Sequence, residues 1–180
     1  MTDLPADPSD PAISDAVPAE ERPASVRKFL LVADDTPEFS AALRFACARA
    51  RATQGRITLL RVLEPAVFEH WSGVREEMER QQRSEAEAML QKLAAQVVEA
   101  TGHPPEFVVR ESGDVRGAMR AVVVEDPEIK IVVLAAAVGG RGPGPLVAAI
   151  CKEGVSHHGR KLPVTIVPGD LTDEELAELS

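Results

Sequence analysis

The 180-residue chain has no tyrosine, one tryptophan and five phenylalanines. It therefore lacks the aromatic faces on which single-stranded bases stack, which argues against nucleic acid as a partner. Cysteine is equally scarce: Cys47 and Cys151 are too few for a disulfide scaffold. Both lie in runs that read as helix, where they are expected to be plain core residues of a protein kept in a reducing, cytoplasmic compartment. Nowhere are there the roughly 18 consecutive apolar residues that a membrane span requires, nor a basic start followed by an apolar run of the secretory kind. The Gly-x4-Gly-Lys-Ser/Thr loop, the Gly-x-Ser-x-Gly elbow and the Cys-x2-Cys pair are all absent, so the sequence names no catalytic residue.

What is present supports a folded core, with 44% hydrophobic and 27% charged residues. The net charge of −9 is carried by the two ends. Residues 1–27 hold six acids against two arginines, residues 170–180 hold five acids and no base, and residues 28–169 are neutral. A neutral middle offers no field to attract a polyanion such as DNA or RNA. Three segments follow. Residues 1–27, with Pro5, Pro8, Pro11, Pro18 and Pro23 among Asp, Ser and Ala, read as a disordered acidic tail. Residues 28–169 read as one α/β domain, and residues 170–180 as an acidic C-terminal helix or tail.

Within the domain, short apolar runs alternate with helical patterns. Phe29–Ala33 reads as a strand buried on both faces, Ile57–Leu63 and Phe107–Glu111 as the second and third strands, and Ile129–Ala136 as the fourth and most apolar. Pro163–Pro168, short and bracketed by prolines, reads as a fifth strand at a sheet edge. Between them the spacing predicts four helices. The first is capped by Thr36-Pro37 and runs to about Thr53 with Gly55 closing it; the second covers about Ser72–Thr101. The third follows Gly113-Asp114 and ends at Asp126-Pro127, and the fourth runs from Leu146 to about His157. Thr172-Asp173-Glu174-Glu175 caps a short terminal helix with Leu176 and Leu179. This alternation implies an open, doubly wound, five-stranded parallel sheet covered on both faces.

In such sheets ligands sit beyond the carboxyl ends of the strands, where strand order reverses. That directs attention to Asp34-Asp35 after the first strand and to Gly139-Gly140-Arg141-Gly142-Pro143-Gly144-Pro145 after the fourth. A carboxylate at Asp34 suits hydrogen bonds from an adenine or ribose, and glycine amides at a helix N-terminus suit phosphates. Equally, the aspartates read as the end of a strand and the glycines as a plain loop. His157-His158 with Cys151 invites a metal reading, but adjacent residues on a helix diverge by about 100°, which argues against a shared ion.

The order of these elements resembles the universal stress protein family over about residues 28–168. Phe29–Thr36 is similar to its strand followed by Asp-x-Ser/Thr, and Ile57–Pro65 to its Leu-Leu-x-Val-x-x-Pro. Gly113-Asp114 before the third helix and Leu162–Val167 as its terminal Pro-Val-x-x-Val complete the likeness. The resemblance implies a Rossmann-like fold of the adenine nucleotide alpha hydrolase type, homodimers, and a division into members that bind ATP and members that do not. Binding members carry Gly-x2-Gly-x9-Gly-Ser/Thr after strand four. Here, counting back from Pro163 without gaps, those places are filled by Ala137, Gly140, Ile150 and Cys151, and shifted registers are broken as well. Pro143 and Pro145 also remove two backbone donors from the loop. What survives of the resemblance as cofactor-binding residues is Asp34, Val62, Gly140 and, as a substitute charge with its neighbour, Arg141 and Gly142.

The expectation is thus a non-enzymatic stress-response protein that acts through protein partners, dimerises through the fifth strand with Val164 and Ile166, and holds no cofactor. Its alternative is an adenine-nucleotide sensor that binds ATP, with magnesium, or AMP, and hydrolyses ATP slowly if at all.

Overall fold

A computed structural model describes residues 26–65, 72–140, 142–153, 156–157 and 160–179. The expected acidic tail, apart from its last two residues, lies outside them. Five strands form one parallel sheet: β1 (Lys28–Val32), β2 (Arg56–Leu63), β3 (Glu106–Glu111), β4 (Ile129–Ala136) and β7 (Val164–Pro168), in the order β3-β2-β1-β4-β7. Between them run α1 (Phe39–Thr53), α2 (Ser72–Thr101), α3 (Val115–Glu125) and α4 (Pro145–Glu153), and α5 (Asp173–Glu178) follows β7. β5 (Ser156–His157) and β6 (Arg160–Lys161) pair as an antiparallel hairpin outside the sheet.

Alternation along the central strands divides the core. Phe29, Leu31, Ile57, Leu59 and Val133 meet Phe39, Leu43, Ala46, Leu90 and Val97 of α1 and α2 on one face. Leu30, Leu60, Val132 and Leu134 meet Met119, Val122, Val147 and Ile150 of α3 and α4 on the other. Strands buried on both sides need apolar residues at every position, which is why the period-two pattern of a half-exposed sheet is missing from the sequence.

Four local expectations need correction. Helix α1 begins at Phe39, and Thr36 does not cap it: its hydroxyl donates to Asp34 Oδ1 at 2.5 Å. An Asx-type turn competes with the helix cap and wins. At the other end of α1 the left-handed residue is Gln54 (φ 53°). Gly55 serves close approach instead, because a Cβ there would lie 2.7 Å from the Phe29 ring and 2.8 Å from the Arg27 carbonyl. Helix α4 stops at Glu153, and His157 belongs to β5; the glycine at 154 is the poorest helix former after proline. The angular argument against a metal shared by His157 and His158 therefore falls, and His158 lies outside the described residues.

The fourth correction concerns the thiols. Cys47 is buried, and burial pushes it up to about 11, whereas Cys151 is exposed on α4 and is not a core residue. The C-terminal segment behaves as its capping pattern indicates. Thr172 Oγ1 accepts from the Glu175 amide at 3.3 Å, and the Glu175 carboxylate accepts from the Thr172 amide at 2.9 Å. These bonds hold the Glu175 carboxyl below its ordinary range. Leu176 is buried, and Arg44 of α1 donates to the Leu171 carbonyl at 2.7 Å, so α5 is tied to α1.

At the amino end of the sheet, Lys28 Nζ lies 2.8 Å from Glu106, 3.0 Å from Asp126 and 3.0 Å from Glu128. Burial opposes its charge, but the three carboxylates outweigh that and raise its pKa above the ordinary lysine range.

Candidate functional site

Strand β1 has β2 on one side and β4 on the other, so chain direction diverges between β1 and β4 and a crevice opens over their carboxyl ends. A cleft of about 400 Å³ fills it. Its walls are largely apolar: Val32, Phe39, Val62, Leu134, Leu146 and Val147. Its charged lining consists of Asp34, Glu38 and Asp114 against Arg61 and Arg116.

Each of these groups is placed by local structure. Asp34 leaves β1 and turns, its Oδ1 accepting both the Thr36 amide at 3.1 Å and the Thr36 hydroxyl. Arg61 enters from the far end of β2. Its Nη1 donates to the Ala33 carbonyl at 3.1 Å and its Nη2 to Asp35 Oδ2 at 2.7 Å, which clips the end of β1 to β2. Asp114 caps α3, with Oδ1 accepting from the Arg116 amide at 3.0 Å. Gly117 leaves room for that carboxylate, since a Cβ there would sit 2.8 Å from Asp114 Oδ2. The Arg116 guanidinium turns to Glu153 of α4 at 2.8 Å, where Arg120 joins it at 3.2 Å. Both arginines of the lining are thus already engaged with carboxylates.

The N-terminus of α4 also faces the cleft through Gly144, Pro145, Leu146 and Val147. Gly144 adopts φ 91°, and Pro145 is the first helical residue, without an N–H and without a hydroxyl. The loop before it folds on itself, with the Gly142 amide donating to the Gly139 carbonyl at 3.3 Å. Gly139 and Gly142 take φ 117° and 77°, conformations that favour glycine. Ile150 is buried in the core under α4, and Cys151 beside it is exposed.

Of the residues singled out in the sequence, Asp34 and Val62 line the cleft together, Gly140 and Gly142 do not, and Arg141 lies outside the described residues. The cleft adds Glu38, Arg61, Asp114 and Arg116, which sequence reasoning did not assign to a site, and of the glycine-rich segment it takes Pro143, Gly144 and Pro145. Arg61 carried a signal, as a lone cation inside an otherwise apolar strand. Asp114 was visible as a helix start but not as a cleft residue.

Sheet order and crevice together define a doubly wound, Rossmann-like α/β protein. The sequence pattern of the universal stress protein family matches residues 25–168, and the chain belongs to that family. No curated protein matches the sequence. Among solved structures, it is similar to a protein of the universal stress protein family from Burkholderia pseudomallei, with TM-score 0.62 and 16% identity, covering 81% of this chain and 98% of that one. It is also similar to the universal stress protein UspA from Lactobacillus plantarum (TM-score 0.60, 18% identity, 80% and 99% coverage). A third likeness is to an Arabidopsis thaliana protein of the same family with AMP bound (TM-score 0.53, 17% identity, 83% and 94% coverage).

Proposed function

We propose that this chain is a non-enzymatic, regulatory member of its family that acts by binding other proteins, with a nucleotide site that no longer takes a triphosphate. The carrying observation is the N-terminus of α4. Where a phosphate needs free amides, Pro145 supplies none, and the two arginines of the cleft are held by Asp35 and Glu153. Asp114 puts a further negative charge at the start of α3, another helix end that faces the cleft. A polyphosphate entering would meet Asp34, Glu38 and Asp114 with no uncommitted cation among the described lining residues.

The scaffold dimerises, in this reading, through β7. It is an edge strand with an unpaired side, and its Ile166 is 40% exposed while Val164 is half-buried. Two apolar side chains on an open edge favour a second copy over solvent.

A second reading, an AMP sensor, is favoured by one observation. Asp34 and Val62 share the cleft, and the Arabidopsis relative carries AMP. Heat-denaturing freshly purified protein and resolving the supernatant by anion-exchange chromatography separates the two. The first reading predicts less than about one-tenth of an equivalent of AMP or ATP, because a ligand held without phosphate contacts dissociates during purification. Release of near-stoichiometric AMP or ATP would overturn it and establish the sensor.

A further inference from the structure

We propose that the cleft over β1 and β4 is selective for an organic cation with an apolar body, and discriminates against anions of the same shape. The inference rests on the reading that the phosphate loop is lost, and it names what the remaining space accepts. Three features carry it. The cavity, at about 400 Å³, is of small-molecule size and is walled by Val32, Phe39, Val62, Leu134 and Leu146. Its two cations already have ion-pair partners, Arg61 in Asp35 and Arg116 in Asp114 and in the Glu153 that it shares with Arg120. Of its three carboxylates Asp114 is paired with Arg116, but among the described residues Asp34 accepts hydrogen bonds from Thr36 alone, and neither Asp34 nor Glu38 has an ion-pair partner. Both are half-buried, so water screens them less than it would a surface carboxylate.

Glu38 is held where it stands. Gly169, at the end of β7, packs so closely that a Cβ there would fall 2.4 Å from Glu38 Cβ, and the Gly169 amide donates to the Ala136 carbonyl at 2.9 Å. The backbone at Glu38 is thereby fixed against the sheet between β4 and β7. An apolar wall beside unpaired carboxylates at one end suits a hydrophobic amine. The apolar part gains by leaving water, and the ammonium replaces hydration with a charge-assisted hydrogen bond.

The test uses three probes that share an indole ring and differ in charge: tryptamine, tryptophol and indole-3-propionate. Each is titrated into the full chain by ligand-observed NMR, with AMP and Mg-ATP run in parallel. The expected order is tryptamine, then tryptophol, then indole-3-propionate, with the cation about tenfold tighter than the anion or better. Glu38→Gln and, separately, Asp34→Asn should each reduce tryptamine affinity about threefold or more and leave tryptophol unchanged. Asn at 34 keeps the oxygen that Thr36 uses, so the turn survives, and circular dichroism checks both folds. Equal or tighter binding of the propionate, no difference among the three, or no binding by any would overturn the inference. Failure of tryptamine with AMP also silent removes this inference alone. Micromolar AMP or ATP binding removes the proposed function together with it.

Discussion

Replacing Ile150 with glycine, the residue that the family's nucleotide motif places there, is expected to lower stability by about 4 kcal/mol and to create no nucleotide site. Ile150 is 6% exposed and packs in the core beneath α4, in the cluster that includes Val132, Leu134 and Val147. Truncating a buried isoleucine to alanine costs about 2–5 kcal/mol, and taking alanine on to glycine inside a helix costs about 1 kcal/mol more. For a chain of this length the loss corresponds to a melting temperature lower by about 10 °C. Adding Cys151→Ser restores the motif's Gly-Ser pair, with Ala137 still at its first glycine, and changes little more, because Cys151 is exposed. Thermal unfolding followed by circular dichroism reads the first expectation. A double variant that keeps its melting temperature and gains ATP binding would show that these two positions sit at the mouth of the loop and not within a packed helix.

The second large effect is expected at Arg160. Its Nη1 donates to the carbonyls of Val123 at 2.7 Å and Asp126 at 3.2 Å; its Nη2 donates to Pro127 at 3.0 Å and to Ile129. One guanidinium therefore gathers the carbonyls released where α3 ends and β4 begins. Those carbonyls include one of the last of the helix, which has no intrahelical partner and carries the negative end of the dipole. Arg160→Ala should cost about 2–3 kcal/mol, since several partly buried acceptors lose a charged donor together. Arg160→Lys should recover less than half of that, because an ammonium is a point donor and cannot span the fork. Urea denaturation midpoints measure both. A loss below about 0.5 kcal/mol for the alanine variant would mean that water serves these carbonyls as well as the arginine does.

Arg160 also marks the limit of what was legible in the chain. Buried parallel strands announce themselves as apolar runs, so β1, β2 and β4 were readable to within a residue, and β3, an edge strand without a buried residue, was readable from its short Phe107-Val108-Val109 run. Proline brackets made β7 readable as an edge, and the strand order bears that out. Helices α2 and α3 were equally clear, although within α2 Val98 is 44% exposed while Ala86 is buried. The β5–β6 hairpin was not readable, because two-residue strands carry no periodicity and the stretch follows directly on a helical pattern.

The cleft was half legible for a related reason. Asp34 and Val62 lie at strand ends, which the topology of a doubly wound sheet brings together. Glu38, Asp114 and Arg116 reach the same space from the starts of two helices on opposite faces of the sheet, and no sequence spacing records that. The glycines misdirected attention in an instructive way. Gly140 is absent from the lining, whereas Gly144, whose left-handed backbone sets the start of α4, is part of it.

The central claim is that this cleft does not hold a triphosphate, and isothermal titration of the nucleotide-free full chain with Mg-ATP tests it most directly. AMP and Asp34→Ala serve as companion titrations. The account predicts no saturable heat from Mg-ATP up to millimolar concentration, in protein whose circular dichroism shows it folded. Micromolar Mg-ATP binding that weakens in Asp34→Ala would contradict it, and would make the cleft a nucleotide site despite Pro145.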